Sequence, residues 1–415
     1  MSGAGAREGD ALHVSDVTMF YAARSGGIRR YLQEKRRWLQ AQPGFRHSLV
    51  LPRHAAAGES TVEVPSLPLP FSHGYRLPLA RRAAARALVE LRPDVIEAGD
   101  PYRLAWAAVD AGQTLGVPVV GFYHSDMPRV VGKACGAAAE RLAEAYTRRL
   151  YSRFDLVLAP SACMVQRLRE LGLPRVERQA LGVDSRVFHP TRRSQGWRLR
   201  LGAGPRDRLL VFVGRFATEK NLPVLHAMLE RLGPGHILVL VGSGTPPPEH
   251  RAVKVVPFIA DPARLAGLIA SCDLFVHAGD QETFGLAPLE AMACGLPVVA
   301  ARAGGLAELV DDSVGCAVPL PGGDTWADTL ASGMAAAVKR LCADGLQPLR
   351  EAARRRAESY DWERILPGIA ARYAALGRHR ELPLPGLELE QHEVAQPEMG
   401  QPVMGQPKMG QPGLP

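Results

Sequence analysis

Two carboxylates, Glu282 and Glu290, flank the predicted start of a short helix in the run Glu282-Thr-Phe-Gly-Leu-Ala-Pro-Leu-Glu290. Free N–H groups and the positive dipole end near Gly285 and Leu286 suit a diphosphate. Carboxylates repel a diphosphate but accept hydrogen bonds from hydroxyl groups. Either glutamate alone is typical of a solvated surface. The pair predicts a site for a diphosphate that lies between two hydroxyl-bearing groups, a ribose at Glu290 and a sugar at Glu282.

The surrounding sequence predicts the elements that position this pair. Residues 273–277 form a short apolar run typical of a buried strand, and residues 278–283 are predicted to be a loop. The helix is predicted over residues 285–294, with Pro288 tolerated in its first turn. Gly295 supplies the stop. Helical side chains lean toward the N-terminus, so Glu290 is expected to reach back to the helix start.

Two cations follow another predicted strand, Leu209 to Val213, in the run Gly214-Arg-Phe-Ala-Thr-Glu-Lys-Asn221. Arg215 and Lys220 could neutralise a diphosphate there, or they could be surface charges at a helix end. A Gly-Ser-Gly turn, Gly242 to Gly244, is predicted to follow the next strand, and on its own it is a weak signal.

The run from Glu282 to Glu290 resembles the E-x7-E motif of the retaining glycosyltransferases of family four, and the resemblance covers roughly residues 12–376. It implies an α/β protein of the GT-B fold, with two doubly wound Rossmann-like domains that face a cleft. Apolar strands that alternate with helical patterns agree with this fold. An acceptor-side domain is predicted over residues 1–188, completed by a crossing helix at about 360–377, and a nucleotide-sugar-binding domain over residues 189–359.

The resemblance also implies roles for single residues. In the family, the residues that match Arg215 and Lys220 bind the donor diphosphate and stabilise it as it leaves, while Glu282 orients the sugar. The predicted donor contacts of the second domain are Gly242, Gly244, Phe284, Gly285, Leu286 and Glu290.

The first domain contributes three further candidates. Gly26 and Gly27 are typical of a simple turn, but the family uses the matching loop to close over donor and acceptor. His124 ends the predicted strand before Tyr123-His-Ser-Asp126, and the family carries there a histidine that reaches the donor sugar. Asp126 is a candidate for holding an acceptor hydroxyl. The Tyr-His-Ser-Asp form resembles the subgroup that acts on lipid or polyprenol acceptors.

These residues predict a metal-independent retaining hexosyltransferase that uses a nucleoside-diphosphate sugar, GDP-mannose or UDP-glucose by family habit. The expected acceptor is a hydroxyl of a lipid-linked, glycan or sugar molecule. No cofactor is expected, and no D-x-D cluster stands where it would hold Mg²⁺ against a diphosphate. One alternative is a sugar-nucleotide epimerase of similar fold. Another is a non-catalytic anion- or lipid-binding protein with a degenerate transferase fold, although the intact cations and glutamates argue against it.

The basic residues are unevenly distributed. Residues 1–189 carry 26 Lys and Arg against 18 Asp and Glu, whereas residues 190–415 carry 24 of each. The excess is typical either of a solvated basic surface or of a face that rests on anionic lipid. For the second reading we expect aromatic side chains at headgroup level, from Tyr31, Trp38, Tyr146 and Tyr151. No nucleic-acid module supports RNA or DNA as a partner.

Composition limits the location of the protein. No apolar run reaches the length of a membrane span, and residues 1–10 lack the apolar core of a secretory signal. The 6 cysteines are widely spaced, as is typical of reduced thiols. We expect a cytoplasmic protein, peripheral on the inner face of the cytoplasmic membrane. Met-Gly-Gln-Pro recurs in residues 382–415, which are predicted to be a disordered tail.

Overall fold

The computed structural model describes residues 11–22, 26–53, 60–69, 74–245 and 248–377. The tail predicted to be disordered, residues 382–415, lies outside the described residues. Within the described ranges, strands and helices alternate to form two parallel sheets and one short antiparallel ribbon. None of the helices in this part of the chain is both long and apolar enough to cross a membrane.

The first half of the chain forms a sheet of seven parallel strands covered by helices. The sheet strands of this half are β1 (Leu12–Val17), β2 (Phe45–Pro52), β3 (Thr61–Val64), β6 (Val95–Ala98), β7 (Val119–Phe122), β8 (Leu156–Ala159) and β9 (Val176–Arg178), and two short strands, β4 (Ser66–Pro68) and β5 (Arg76–Pro78), lie outside the sheet. Its helices are α1 (Gly27–Gln40), α2 (Arg81–Leu91), α3 (Arg103–Leu115), α4 (Met127–Cys135), α5 (Ala137–Tyr151) and α6 (Ala162–Glu170). The spatial order is β3-β2-β1-β6-β7-β8-β9, while β4 and β5 form the ribbon.

The second half repeats this plan with six parallel strands. They are β10 (Arg208–Phe216), β11 (His236–Gly244), β12 (Val253–Pro257), β13 (Leu274–His277), β14 (Val298–Arg302) and β15 (Gly315–Pro319), in the order β12-β11-β10-β13-β14-β15. Its helices are α7 (Gln195–Arg200), α8 (Leu222–Leu232), α9 (Pro262–Ala270), α10 (Leu286–Ala293), α11 (Leu306–Leu309), α12 (Trp326–Asp344), α13 (Gln347–Ser359) and α14 (Trp362–Leu376), with 3₁₀ turns at Pro190–Arg192 and Thr218–Lys220.

Strand order fixes where a ligand can bind. In each sheet the chain moves outward from its first strand and then returns to that strand's other side, so order reverses between β1 and β6 and between β10 and β13. Crevices at the carboxyl ends of strands beside such a reversal are the usual ligand sites of doubly wound sheets. The predicted doubly wound architecture is confirmed, whereas the boundaries at residues 188 and 359 stay predictions.

One local prediction was wrong. Arg215 does not lie past a strand end, because β10 continues through Gly214–Phe216 and pairs with Gly242–Gly244 of β11. The glycines permit this pairing: a Cβ on Gly242 would lie 1.8 Å from the carbonyl oxygen of Gly214. Glycines that are typical of turns in a sequence therefore serve close strand packing here.

A buried ionic cluster joins α1, the first sheet and α14. The Lys35 Nζ donates to Asp16 Oδ1 at 2.5 Å, to Glu97 Oε1 at 2.8 Å and to the Tyr373 hydroxyl at 3.0 Å. The Lys35 side chain is 1% exposed. Because Tyr373 belongs to α14, the last helix described is tied to the first sheet, as expected for a crossing helix.

The structure also corrects the aromatic side chains expected at a lipid surface. Tyr31 and Tyr151 are buried, because each lies on the core-facing side of its helix. The Tyr146 hydroxyl donates to the carbonyl oxygen of Pro101 at 2.6 Å. Of the four aromatic residues proposed for the headgroup level, these three therefore face the protein. Trp38, the fourth, is partly exposed.

Candidate active site

A pocket of about 150 Å³ lies where the two halves of the chain meet. It contains six of the residues that the sequence proposed for the donor. The lining residues are Gly26, Gly27, Arg30, Val213, Gly214, Arg215, Val241, Gly242, Ser243, Phe258, Ile259, Leu265, Leu286, Ala287 and Glu290. The carboxyl-terminal residues of β10 and β11 form one wall, and the starts of α1 and α10 form the other.

Helix α10 begins at the pocket because Gly285 can adopt a backbone conformation that other residues avoid. Its φ is 106°, in the left-handed region, and an added Cβ would lie 2.9 Å from the Leu306 Cδ2. The helix follows at once, so the N–H groups of its first turn, at Leu286 and Ala287, stand at the pocket wall. This is the positive end of the helix dipole that the sequence predicted.

A second helix, α1, starts at the same pocket. A Cβ on Gly27 would lie 2.6 Å from the Leu286 Cδ1, so the two helix starts touch and a larger residue at this position would displace the Leu286 side chain. A Cβ on Gly26 would meet nothing within 4 Å, which leaves open space beside its backbone. The two glycines therefore differ: Gly27 lets the halves approach, and Gly26 leaves room for a ligand.

Glu290 is buried beneath this contact and forms an ion pair with Arg30 of α1. Burial lowers the pKa of the Arg30 guanidinium to about 10, which leaves it charged at neutral pH. The sequence pointed to Arg30 only as part of a basic cluster and not as a donor-site residue, although its place one turn after the Gly26-Gly27 pair could have indicated the pocket. The first half thus supplies a cation to the pocket of the second half.

The other predicted glutamate, Glu282, lies in a separate charged cluster. Its Oε1 accepts a hydrogen bond from Lys220 and lies 3.0 Å from the His277 Nε2. Burial raises the pKa of the Glu282 carboxyl, but the charge of Lys220 and the hydrogen bond from His277 outweigh burial and hold that pKa far below its ordinary value. Arg215 is exposed and donates to Glu219 at 3.2 Å.

The loop that carries Glu282 is fixed from both halves of the chain. The Thr283 hydroxyl donates to the carbonyl oxygen of His124 at 2.9 Å, and the Ser161 hydroxyl donates to the carbonyl oxygen of Thr283 at 2.7 Å. On the other side, the Gly305 N–H donates to the carbonyl oxygen of Glu282 at 2.7 Å. These bonds hold the loop against the carboxyl end of β7, where His124 lies.

His124 is held by aromatic rings. Its imidazole stacks on Phe122 with ring centroids 4.2 Å apart and lies 5.2 Å from the ring of Tyr31. Burial, followed by the positive charge of Lys35, lowers the pKa of the imidazole to about 3, so the ring is neutral at physiological pH. Neither ring nitrogen has a hydrogen-bond partner among the described residues.

The remaining candidates lie outside the pocket wall. The Tyr123 hydroxyl donates to Asp126 Oδ1 at 2.8 Å, and Arg167 Nε lies 3.7 Å from the other oxygen, so Asp126 is largely engaged by the protein. Phe284 is buried, with its ring 5.8 Å from that of Tyr360. Gly244 pairs with Phe216 in the extended part of β11.

Both halves match models of known families. Residues 26–183 match a glycosyl transferase 4-like domain, and residues 207–344 match the glycosyl transferases group 1. Among curated proteins, a GDP-mannose-dependent α-(1-6)-phosphatidylinositol dimannoside mannosyltransferase of Mycobacterium tuberculosis is 31% identical, over 88% of this chain and 97% of its own. A GDP-mannose-dependent α-mannosyltransferase of Mycolicibacterium smegmatis is 36% identical, over 60% of this chain and 66% of its own.

Solved structures agree on the fold. A sucrose-phosphate synthase from Thermosynechococcus elongatus superposes with a TM-score of 0.69 at 19% identity, over 88% of this chain and 99% of its own. Anabaena HepE in complex with UDP and glucose superposes with a TM-score of 0.68 at 20% identity, over 88% and 100%. The GT-B fold is confirmed, and the epimerase alternative gains no support from these relatives. With a family match in each half and a relative aligned over nearly its whole length, the chain belongs to glycosyltransferase family four and is an enzyme that transfers sugar.

Proposed function

We propose that the chain transfers mannose from GDP-mannose to a hydroxyl of a glycolipid, with retention of configuration at the sugar. The observation that carries the donor site is the pocket at which the starts of α1 and α10, the Arg215 backbone and Glu290 converge. Two helix N-termini and the nearby guanidinium of Arg30 suit a diphosphate. The names of the two mycobacterial relatives support mannose over glucose as the sugar.

Different residues are proposed to bind different parts of the donor. Glu290 is proposed to accept hydrogen bonds from the ribose hydroxyls, since it lies at the floor of the pocket. Arg215 and Lys220 are proposed to neutralise the diphosphate, and Lys220 must then leave Glu282 for the phosphate. Glu282 is proposed to orient the hydroxyls of the transferred sugar, on the side of the pocket that faces His124.

Such a site needs no carboxylate nucleophile. The acceptor hydroxyl attacks the anomeric carbon on the face that the diphosphate is leaving, the bond to the diphosphate oxygen breaks, and a phosphate oxygen takes the proton of the hydroxyl. Lys220, Arg215 and the N–H groups of the helix starts stabilise the charge that develops on the leaving diphosphate. We therefore propose transfer without a metal ion or a bound cofactor.

The neutral His124 ring and Asp126 are proposed to face the transferred sugar and the acceptor. A ring that stays neutral at pH 7 can offer one N–H donor and one acceptor nitrogen to sugar hydroxyls. Asp126 retains one buried oxygen without a hydrogen bond among the described residues. That oxygen is the proposed contact of an acceptor hydroxyl.

The acceptor is proposed to be lipid-linked and the enzyme to be peripheral on a cytoplasmic, anionic membrane surface. Arg82, Arg86, Arg148 and Arg153 are exposed on the first half and could meet lipid headgroups. Each Lys or Arg near an anionic bilayer contributes about 1 kcal/mol, so four acting together give reversible binding. Arg36 suits this less, because it donates to the Thr61 hydroxyl at 3.1 Å.

A thermal-shift panel tests the donor assignment. GDP-mannose, GDP, UDP-glucose, UDP and ADP-glucose are each added at equal concentration, and the melting temperature is measured. A ligand present at a hundred times its dissociation constant stabilises the folded state by about 2.7 kcal/mol. We expect GDP-mannose and GDP to raise the melting temperature most. A larger shift with the uridine or adenine nucleotides would overturn the assignment, and Glu290→Gln serves as the control for binding in this pocket.

A further inference from the structure

We propose that His277, the last residue of β13, is a positioning residue that holds one oxygen of Glu282 and so directs the other toward the donor sugar. The inference rests on the proposed role of Glu282 and extends it to a residue that the sequence did not single out. His277 and Glu282 are five residues apart, at the two ends of the loop that follows β13.

The His277 ring is fixed in place. The side chain is 2% exposed, and its ring centroid lies 5.5 Å from that of Phe212 and 6.4 Å from that of Phe275. A Cβ on Gly279 would lie 2.5 Å from the His277 Cε1, so only glycine at that position leaves room for the imidazole. A ring confined in this way can act as a rigid support for its hydrogen-bond partner.

Hydrogen bonding settles which nitrogen carries the proton. The His277 Nδ1 lies 3.0 Å from the backbone nitrogen of Gly279, which can only donate, so Nδ1 must present a lone pair. The ring proton is therefore on Nε2. Nε2 lies 3.0 Å from Glu282 Oε1, and the imidazole donates to the carboxylate. A backbone N–H thus selects the tautomer that serves Glu282.

The two side chains that donate hydrogen bonds to Glu282 contact the same carboxylate oxygen. Lys220 and His277 contact Oε1, and within the described residues Oε2 receives no hydrogen bond. The Glu282 side chain is 18% exposed, so Oε2 can reach a ligand in the cleft. The Gly305 N–H fixes the backbone of the same residue. With Oε1 and the backbone held, the direction of Oε2 is determined.

The role of His277 becomes larger when the donor binds. A diphosphate competes with Glu282 for the Lys220 ammonium, because a phosphate carries more charge than one carboxylate. His277 is then the remaining side-chain donor to Oε1. Without it, the Glu282 carboxylate would be free to turn away from the sugar, and the sugar would be held in a less reactive geometry.

The test compares three substitutions that keep different parts of the imidazole. His277→Gln can place an amide N–H near the Nε2 position, His277→Asn can keep only an acceptor near Nδ1, and His277→Ala keeps neither. Loss of a hydrogen bond that orients a metal-binding side chain lowers activity by about 10- to 100-fold, and we take the same range for the support of Glu282. We expect this loss of kcat with GDP-mannose for the alanine and asparagine variants and at least partial recovery for glutamine.

The dissociation constant of free GDP, measured by calorimetry, should stay within about twofold in all variants, because His277 itself contacts neither the ribose nor the diphosphate in the proposed arrangement. Equal loss in all three variants, or recovery by asparagine rather than glutamine, would overturn the inference and indicate a packing role. If the His277→Ala variant does not fold, the comparison of kcat between His277→Gln and His277→Asn still distinguishes a hydrogen-bonding role from a packing role.

A double substitution separates this inference from the proposed function. If His277 acts through Glu282, then His277→Ala made in the Glu282→Gln protein should change kcat by less than about twofold further. A further loss equal to that of the single variant would show that His277 acts independently. Full activity of Glu282→Gln alone would instead refute the proposed role of Glu282, whatever the histidine variants show.

Discussion

Replacing Lys35 with methionine should destabilise the fold strongly, because it leaves two buried carboxylates without a cation. Lys35 donates to Asp16 Oδ1 at 2.5 Å and to Glu97 Oε1 at 2.8 Å, and all three side chains are at most 2% exposed. Removing one partner of a buried ion pair typically costs about 3–5 kcal/mol. The unfolding entropy is about 2.1 cal/mol/K per residue, so in a chain of 415 residues 1 kcal/mol corresponds to about 1.2 °C, and we expect the melting temperature to fall by about 3–6 °C.

The pH dependence of the variant gives a sharper test. In the wild type, burial raises the pKa of Asp16, but Lys35 and His47 outweigh burial and hold that pKa at about 2. Its stabilising contribution is then complete above the unfolded pKa of about 3.9 and is lost as the pH falls toward 2. Without Lys35, burial dominates and the folded carboxyls bind protons more tightly than the unfolded ones.

Stability of the variant should therefore rise as the pH falls from 8 to 5.5, relative to the wild type. Scanning calorimetry of both proteins at several pH values measures this difference. Lys35→Met combined with Glu97→Gln is the matched control. It removes one of the two buried carboxylates that lack a cation, so it should recover part of the lost melting temperature. An unchanged melting temperature of Lys35→Met at pH 8 would show that Lys35 does not stabilise the two buried carboxylates.

Four further predictions concern the site and the surface. Lys220→Ala should lower turnover by about 10² to 10³, the usual loss when one preorganised charge-stabilising group is removed, and near-normal turnover would contradict its role at the diphosphate. Glu290→Gln should weaken binding of free GDP in calorimetry, whereas Glu282→Gln should spare GDP and lower transfer; the reverse pattern would mean that ribose and sugar are placed the wrong way round. Millimolar EDTA should leave the initial rate unchanged, and loss of activity restored by Mg²⁺ or Mn²⁺ would contradict transfer without a metal. Arg82→Glu with Arg86→Glu should reduce flotation with anionic liposomes without changing GDP affinity, and equal flotation with neutral liposomes would contradict the lipid surface.

Local signals in the sequence predicted the site elements well. The helix expected over residues 285–294 is observed over Leu286–Ala293, and the strand expected over 273–277 over Leu274–His277. The glycines on either side of this helix indicate where it begins and ends, because Gly285 and Gly295 both adopt a positive φ that other residues avoid. These elements were predictable because each depends on neighbours in the chain.

Contacts between distant residues were not predictable in the same way. The pair of Arg30 with Glu290 joins positions 260 residues apart, and it forms where the start of α1 packs against the start of α10 at Gly27 and Leu286. The extension of β10 along β11 was missed because its glycines resemble a turn, while their actual partner is the neighbouring strand. Helix α1 carries polar residues on more than one side, so the sequence did not reveal that Lys35 faces the core.

We propose that the pocket between the two halves binds a nucleoside-diphosphate sugar and that Lys220 assists departure of its diphosphate. The most direct measurement is a time course with sugar-labelled donor, using the nucleotide sugar that stabilises the protein most, and a pool of membrane glycolipids as acceptor. Wild type and Lys220→Ala are compared in the same experiment. We predict that label enters the glycolipid fraction at least about 100-fold faster with the wild type. Equal rates for the two proteins would show that Lys220 has no part in departure of the diphosphate, and release of the label only as free sugar would show that the protein does not transfer to glycolipid.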